Sequence, residues 1–386
     1  MQIRPTAVYF RRLVFRPVCE SSSPLNSVVP MTENATHHIP VAKRLVLYLA
    51  GCMLCLACAS CGHEPAEVSG TPAKALKNGV QPAANESGEV AEVVFDGETI
   101  SEEMIQSWVN NPSLRRLRIA GSGIDDAGLI QLAKMQKLEL LDLTGCEKLT
   151  SVGIEAIGNI ASLRNLRVSG PAVTDPAIAS FSRLSNVAAL SLQQTAVTDN
   201  GLRVVDSMTG LKELNLYGTT VTDSCLATIA ALPSLQKLRL RGTGVTGHAA
   251  ESFVKMAALT ELDLSETAFV SNGLQWVGKM PKLRSLNLWL TKVDDGGIDF
   301  LSEQKQLTLL NLDNVSGITD KSLEIIRQIS NLELLHLGGT SITAEGLPKL
   351  YDLKNLKTLF VTRLMLQESD VQKLKDAMPW VSKLES

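Results

Sequence analysis

The chain has 386 residues, 45% hydrophobic and 20% charged, so it can bury a large core and could hold two average domains. Its net charge of −3 gives no general pull toward nucleic acid or an anionic membrane surface. Of seven cysteines, four share one apolar run and Cys19, Cys146 and Cys225 are scattered, which excludes a visible disulfide framework.

Residues 1–61 read as an N-terminal region with an export signal. The first 42 residues show no sustained periodicity, and Met31 is a candidate true start. Lys43 and Arg44 supply a basic n-region, and Leu45 to Ser60 an apolar h-region. Sixteen residues fall short of the roughly 20 that span a bilayer, so a cleaved signal is favoured over a permanent anchor. Leu49-Ala50-Gly51-Cys52 resembles the lipobox of bacterial lipoprotein signals, and Ala59-Ser60-Cys61 is a second version of it. The motif favours lipidation at Cys52. The longer h-region and polar mature start favour Cys61. The Cys-x2-Cys spacing from Cys52 to Cys61 also admits a metal or iron–sulfur reading. Its Leu, Val and Ala surroundings, which offer no loop donors to the sulfurs, argue against that.

Residues 62–89 are rich in Ala, Pro, Gly, Glu and Asn, with few large apolar side chains, and read as a flexible tether. Residues 90–113 fit a divergent capping repeat through Val90, Val93, Phe95, Ile105 and Trp108.

From Leu114 the chain repeats. Units begin at Leu114, Leu138, Leu163, Val187, Leu211, Leu235, Leu259, Leu283, Leu307, Leu332 and Leu356, at spacings of 24 or 25 residues. In the unit from Leu211, the apolar Leu211, Leu214 and Leu216 are interleaved with Glu213, Asn215 and Tyr217, the period-2 signature of a strand with one buried face. Leu226, Ile229 and Leu232 follow at helical spacing, which predicts a helix of about ten residues. The Thr-Asp pairs before each helix (Thr174-Asp175, Thr198-Asp199, Thr222-Asp223, Thr319-Asp320) read as helix caps. Eleven units fill residues 114–378, and 379–386 form a C-terminal tail or cap, with Ser369 the expected cap of a last helix.

These units resemble the leucine-rich repeat family, whose L-x-x-L-x-L core nearly every one meets. Val197-Thr198-Asp199-Asn200-Gly201-Leu202 is similar to the V-T-D-x-G-L subtype known from F-box-associated and many bacterial repeat proteins. The resemblance implies an α/β leucine-rich-repeat solenoid, a curved horseshoe with a concave parallel sheet and helices on the convex side. It also implies a recognition scaffold, since the fold serves unrelated systems.

With the first leucine of a unit as position 1, side chains at 3, 5 and 7 leave the core. The candidate partner-binding residues on that face are Tyr217, Arg239, Arg241, Asp263, Trp289, Asn311, Asp313 and His336. Tyr, Trp and Arg dominate interface hot spots. Isolated surface aromatics that merely stack on neighbouring rungs are the plain alternative. Acids interleave with the cations of this face, which argues against nucleic acid and for ion-pair ladders. His248 and His336 are the array's histidines, without a nucleophile elbow or phosphate loop beside them. No enzyme activity, cofactor or metal is expected.

The expectation is an exported, lipid-anchored envelope protein, facing periplasm or exterior, that binds a protein or glycan partner through its concave sheet. Two alternatives stand beside it: a cytoplasmic F-box-like substrate adaptor, and a structural envelope component without a specific ligand.

Overall fold

The structure is a computed structural model and describes residues 80–84, 90–95, 97 and 99–386. The signal segment with Cys52 and Cys61, and most of the tether, lie outside the described residues.

The strands are β1 Val80–Ala84, β2 Val90–Phe95, β3 Arg116–Arg118, β4 Leu140–Leu143, β5 Asn165–Val168, β6 Gly170–Thr174, β7 Ala189–Ser191, β8 Thr195–Ala196, β9 Glu213–Asn215, β10 Lys237–Arg239, β11 Glu261–Asp263, β12 Ser285–Asn287, β13 Leu309–Asn311, β14 Leu334–His336, β15 Thr358–Phe360 and β16 Lys383–Glu385. All but β6 and β8 form one sheet in chain order. From β2 onward every neighbour is parallel, and leucine sits on leucine: Leu238 lies between Leu214 and Leu262. Each coil adds one rung. In the coil from Leu211, the residues Leu211, Leu214, Leu216, Val221, Leu226, Ile229 and Leu232 are all at most 4% exposed. Burying each such side chain is worth about 1.5–3 kcal/mol, and no coil can bury them alone. The expected fold class holds: an α/β solenoid with a parallel sheet on one side and helices on the other.

The helices are shorter than the expected ten residues. The α-helical segments have four to seven residues in the coils, as at Cys225–Ala230, and 3-10 segments of three to seven residues replace or extend them, as at Gly201–Ser207 and Leu347–Asp352, so that 151–159 and 175–183 are helical over nine residues. A 3-10 turn rises about 2.0 Å per residue against 1.5 Å, so fewer residues cross the coil. Leu202 and Val205, three apart, are the buried pair that such a turn can present.

The Thr-Asp pairs do not cap as expected: Thr174 makes no side-chain cap hydrogen bond, and the helices after Thr198, Thr222 and Thr319 start from Asn200, Ser224 and Ser322. Asp175 accepts from the Thr198 backbone N–H at 2.8 Å and from its hydroxyl at 2.5 Å, one coil downstream. The same clasp joins Asp126 to Thr150, Asp199 to Thr222, Asp223 to Thr246, Asp295 to Thr319 and Asp320 to Thr343. Within its own coil the threonine hydroxyl accepts an N–H two residues on, as Thr222 does from Ser224. True aspartate caps occur at Asp125 and Asp294, bonded to Gly128 and Gly297.

The ends are covered. β1 lies inside the stretch read as tether; it pairs antiparallel with β2 and satisfies the free edge of that strand. Helix Glu102–Val109, capped by Ser101, buries Ile105 and Trp108, and Trp108 meets Phe95 edge-on at 6.1 Å between centroids. At the other end, helix Glu368–Ala377 is capped by Gln367 with Asp370 returning to it, two residues before the expected Ser369. The Trp380 indole donates to the Leu353 carbonyl at 2.9 Å, and β16 adds a further rung beside β15.

Candidate partner-binding face

Strand pairing ends near position 5, which leaves the N–H at position 7 without a sheet partner. The position-5 side chain supplies one. Asn215 accepts from the N–H of Tyr217, Asp263 from Ser265, Asn287 from Trp289, and Asn311 from Asp313, all at 2.9–3.0 Å. His336 does the same through Nδ1 for Gly338 at 3.2 Å. Thus Asp263, Asn311 and His336, candidates from sequence, hold the turn after their strands.

The next residue, position 8, has a left-handed backbone in all eleven coils. Six carry glycine, which adopts it freely; Gln194, Glu266, Leu290, Asn314 and Arg363 do not. Glu266 and Arg363 have a visible use. Glu266 accepts two hydrogen bonds from Arg241, at 2.8 and 3.0 Å, and Arg363 pairs with Asp313. Leu290 has no such use. It is 51% exposed in a conformation with φ of 55°.

Three candidates come together beside Leu290. The Arg241 guanidinium lies 4.9 Å from the Tyr217 ring centroid and 4.8 Å from that of Trp289, clamped between them. Trp289 stands two coils from Arg241 and reaches it across Ser265, which is fully buried. All three are half-buried, so the aromatics expected on an open face are packed into a cation–π stack. The Trp289 Nε1 is buried without a hydrogen-bond partner among the described residues.

Asp313, His336 and Phe360 form a second cluster. Phe360, passed over as an aromatic of this face, stacks on His336 at 4.5 Å and 12°. The Asp313 Oδ1 is 3.7 Å from the His336 Nδ1. Burial pushes the His336 pKa below its ordinary value, Asp313 and Glu385 oppose this, and the Arg363 charge adds to it.

The charges of the face are largely consumed internally. Glu92 bridges Arg116 and Arg118, Arg167 faces Asp142, and Lys237 lies between Glu213 and Glu261 at 3.7 and 3.2 Å. Arg239 is the exception. It is exposed and forms no ion pair among the described residues, so the expected ladder runs through Lys237 and Arg241 of its rung but not through Arg239 itself. Arg239 and Leu290 are thus exposed side chains of this face, while Trp289 is held in the Arg241 stack. Leu290 was missed, although a non-glycine in a mostly glycine column is a readable signal.

Both histidines of the array are tied into turns, His336 by the Gly338 N–H and His248 beside a clasp. The Thr246 hydroxyl, 2.6 Å from the His248 Nδ1, is held by Asp223 as one of the clasps. Among the described residues no group of three or more His, Cys, Asp or Glu side chains is placed to hold a metal ion. No helix among them is long and apolar enough to cross a membrane.

Residues 110–133 and 134–158 match the Leucine Rich repeat family model. An internalin, InlF, from Listeria monocytogenes superposes with a TM-score of 0.57 at 20% identity, covering 76% of this chain and 79% of its own. A chain from an octameric complex of Latrophilin 3, Unc5D and FLRT2 superposes with a TM-score of 0.50 at 16% identity, covering 71% and 84%. No curated protein sequence matches the chain. At such identities the likeness is one of fold, and with the coil geometry it defines a leucine-rich-repeat solenoid.

Proposed function

We propose that this chain is an exported, lipid-anchored recognition protein of the V-T-D-x-G-L repeat subtype. It holds a macromolecular partner, protein before glycan, on the sheet face around Arg239, Trp289 and Leu290. One observation carries the reading: Leu290 is apolar and half-exposed at a left-handed turn position where six of the eleven coils use glycine, and its side chain has no visible use there of the kind Glu266 and Arg363 have. Backbone strain of this kind costs on the order of 1–3 kcal/mol and concentrates where function requires it. Two coils away on the same face is the exposed Arg239, and next to Leu290 in sequence is a tryptophan already held in the Arg241 stack, so little ordering entropy of that ring remains to be lost on binding. A protein complex that includes a chain of this fold, with Latrophilin 3 and Unc5D, supports a protein partner.

The test is affinity capture from envelope extracts with Arg239→Ala and Leu290→Gly. Loss of the captured partner supports the face, and unchanged recovery removes it. Export is tested separately, by the intact mass of the native protein. A lipidated chain beginning at Cys52 or Cys61 is expected, and an unprocessed cytosolic chain overturns the anchor.

A further inference from the structure

Two sets of positions in the array differ in the sign of their charge. The residues just before and just after the first leucine of each unit, on the upstream flank of the sheet, comprise seven cations and two acids. On the opposite flank eight aspartates occupy the turn before the helices. Six of those aspartates clasp the next coil's threonine, so they have a structural task. The cations have less of one. Lys137, Arg164, Lys212, Lys282 and Arg284 are exposed and form no ion pair among the described residues.

They are densest in the first three coils. Arg115, Lys137, Glu139, Ser162, Arg164 and Asn186 line a cleft of about 240 Å³. Its floor is fixed: Ser162 donates to the Leu138 carbonyl, Asn186 to that of Ala161, and Arg115 to those of Pro112 and Leu114. Three cations against the one Glu139 leave an excess of positive charge. Guanidinium and ammonium donors at such spacing suit a phosphate.

We infer that this upstream flank docks on an anionic phospholipid bilayer, with a headgroup phosphate in the cleft between Arg115, Lys137 and Arg164. The inference rests on the anchored-protein reading and adds an orientation to it: flank on the membrane, sheet face open to the partner. Coils stack about 4.8 Å apart, so the flank offers a strip rather than one pocket. The strip is broken by neutral residues at Ala188, Gln236, Thr260 and Thr308. A nucleic-acid backbone needs cations matched to its track, whereas a bilayer presents phosphates everywhere and tolerates uneven spacing.

The experiment uses the full chain carrying Cys52→Ser and Cys61→Ser, so that no acyl group contributes. Sedimentation with phosphatidylglycerol–phosphatidylcholine vesicles is compared with phosphatidylcholine alone, at low and high salt. Partition onto the anionic vesicles should fall roughly fivefold for each cation removed in Lys137→Gln, Arg164→Gln and Lys212→Gln, and the preference should vanish at high salt. Glu139→Gln should raise it by a similar factor, which keeps the test decisive if the triple variant folds poorly. Equal partition of variant and parent, or no preference for anionic vesicles, overturns the inference. So does displacement of the vesicles by inorganic phosphate or by duplex DNA, which would mark a small-anion or nucleic-acid site. Because the chain is unacylated, failure here is distinct from failure of the anchor, which intact mass decides.

Discussion

Gly201 packs against the carboxylate of Asp175 one coil upstream, where a Cβ would overlap Oδ1. Gly153 stands in the same relation to Asp126, and Gly346 to Asp320. The glycine of V-T-D-x-G-L is thus a notch for the previous coil's aspartate. Where Ser322 replaces it, the hydroxyl donates to Asp295 at 2.5 Å. Gly201→Ala should destabilise the protein by about 1–3 kcal/mol, the scale of a lost hydrogen bond to a charged group. In an Asp175→Ala background most of that loss should disappear. Chemical denaturation of the single and double variants reads the coupling directly.

Leu290 predicts an opposite pattern. Relief of its left-handed strain outweighs the flexibility of glycine, so Leu290→Gly should gain about 0.5–1 kcal/mol. A variant that melts higher yet captures less partner separates function from folding. A lower melting temperature would show that Leu290 serves the fold.

His336 sets a pH dependence. Burial, aided by Arg363 and opposed by Asp313 and Glu385, lowers its pKa from the ordinary 6.5, so the unfolded chain takes up the proton more readily. Stability from the neutral ring is present above pH 6.5 and is lost as the pH falls below that value. His336→Asn preserves the acceptor for the Gly338 N–H, as Asn311 does in the preceding coil, and should flatten this step. Melting temperature against pH for the two proteins checks it.

A second acid step belongs to the clasps. Burial raises the pKa of Asp295, but hydrogen bonds from Ser322 and Thr319 outweigh it and bring the group below the ordinary 3.8. A carboxylate with a lowered pKa stabilises above its unfolded value, and that contribution is lost as the pH falls through the folded value. Asp295→Asn should therefore melt lower at neutral pH and show a shallower decline in strong acid.

The rungs were legible because an aliphatic residue, mostly leucine, recurs at positions 1, 4 and 6 of every coil, and period 2 permits one face only. The clasps were not. Thr198 and Asp199 are adjacent in sequence, and adjacency suggested a cap, whereas the bonds run 23 residues apart, from Thr198 back to Asp175. For the same reason Tyr217, Arg241 and Trp289 were each readable as surface residues, but their stack depends on Ser265 being small. Position 5 misled most. Asn311 and Asp263 vary like ligand contacts, yet they satisfy a backbone N–H that only the end of strand pairing exposes.

The most direct measurement is site-specific photo-crosslinking in the producing cell. A benzophenone side chain is placed at Leu290 on the sheet face and, separately, at Phe300, which is 43% exposed on the helical side. A discrete adduct from position 290, lost when Arg239→Ala is added and absent from position 300, is the expected outcome. No adduct at 290, or the same adduct from both positions, would remove the sheet face as the recognition surface.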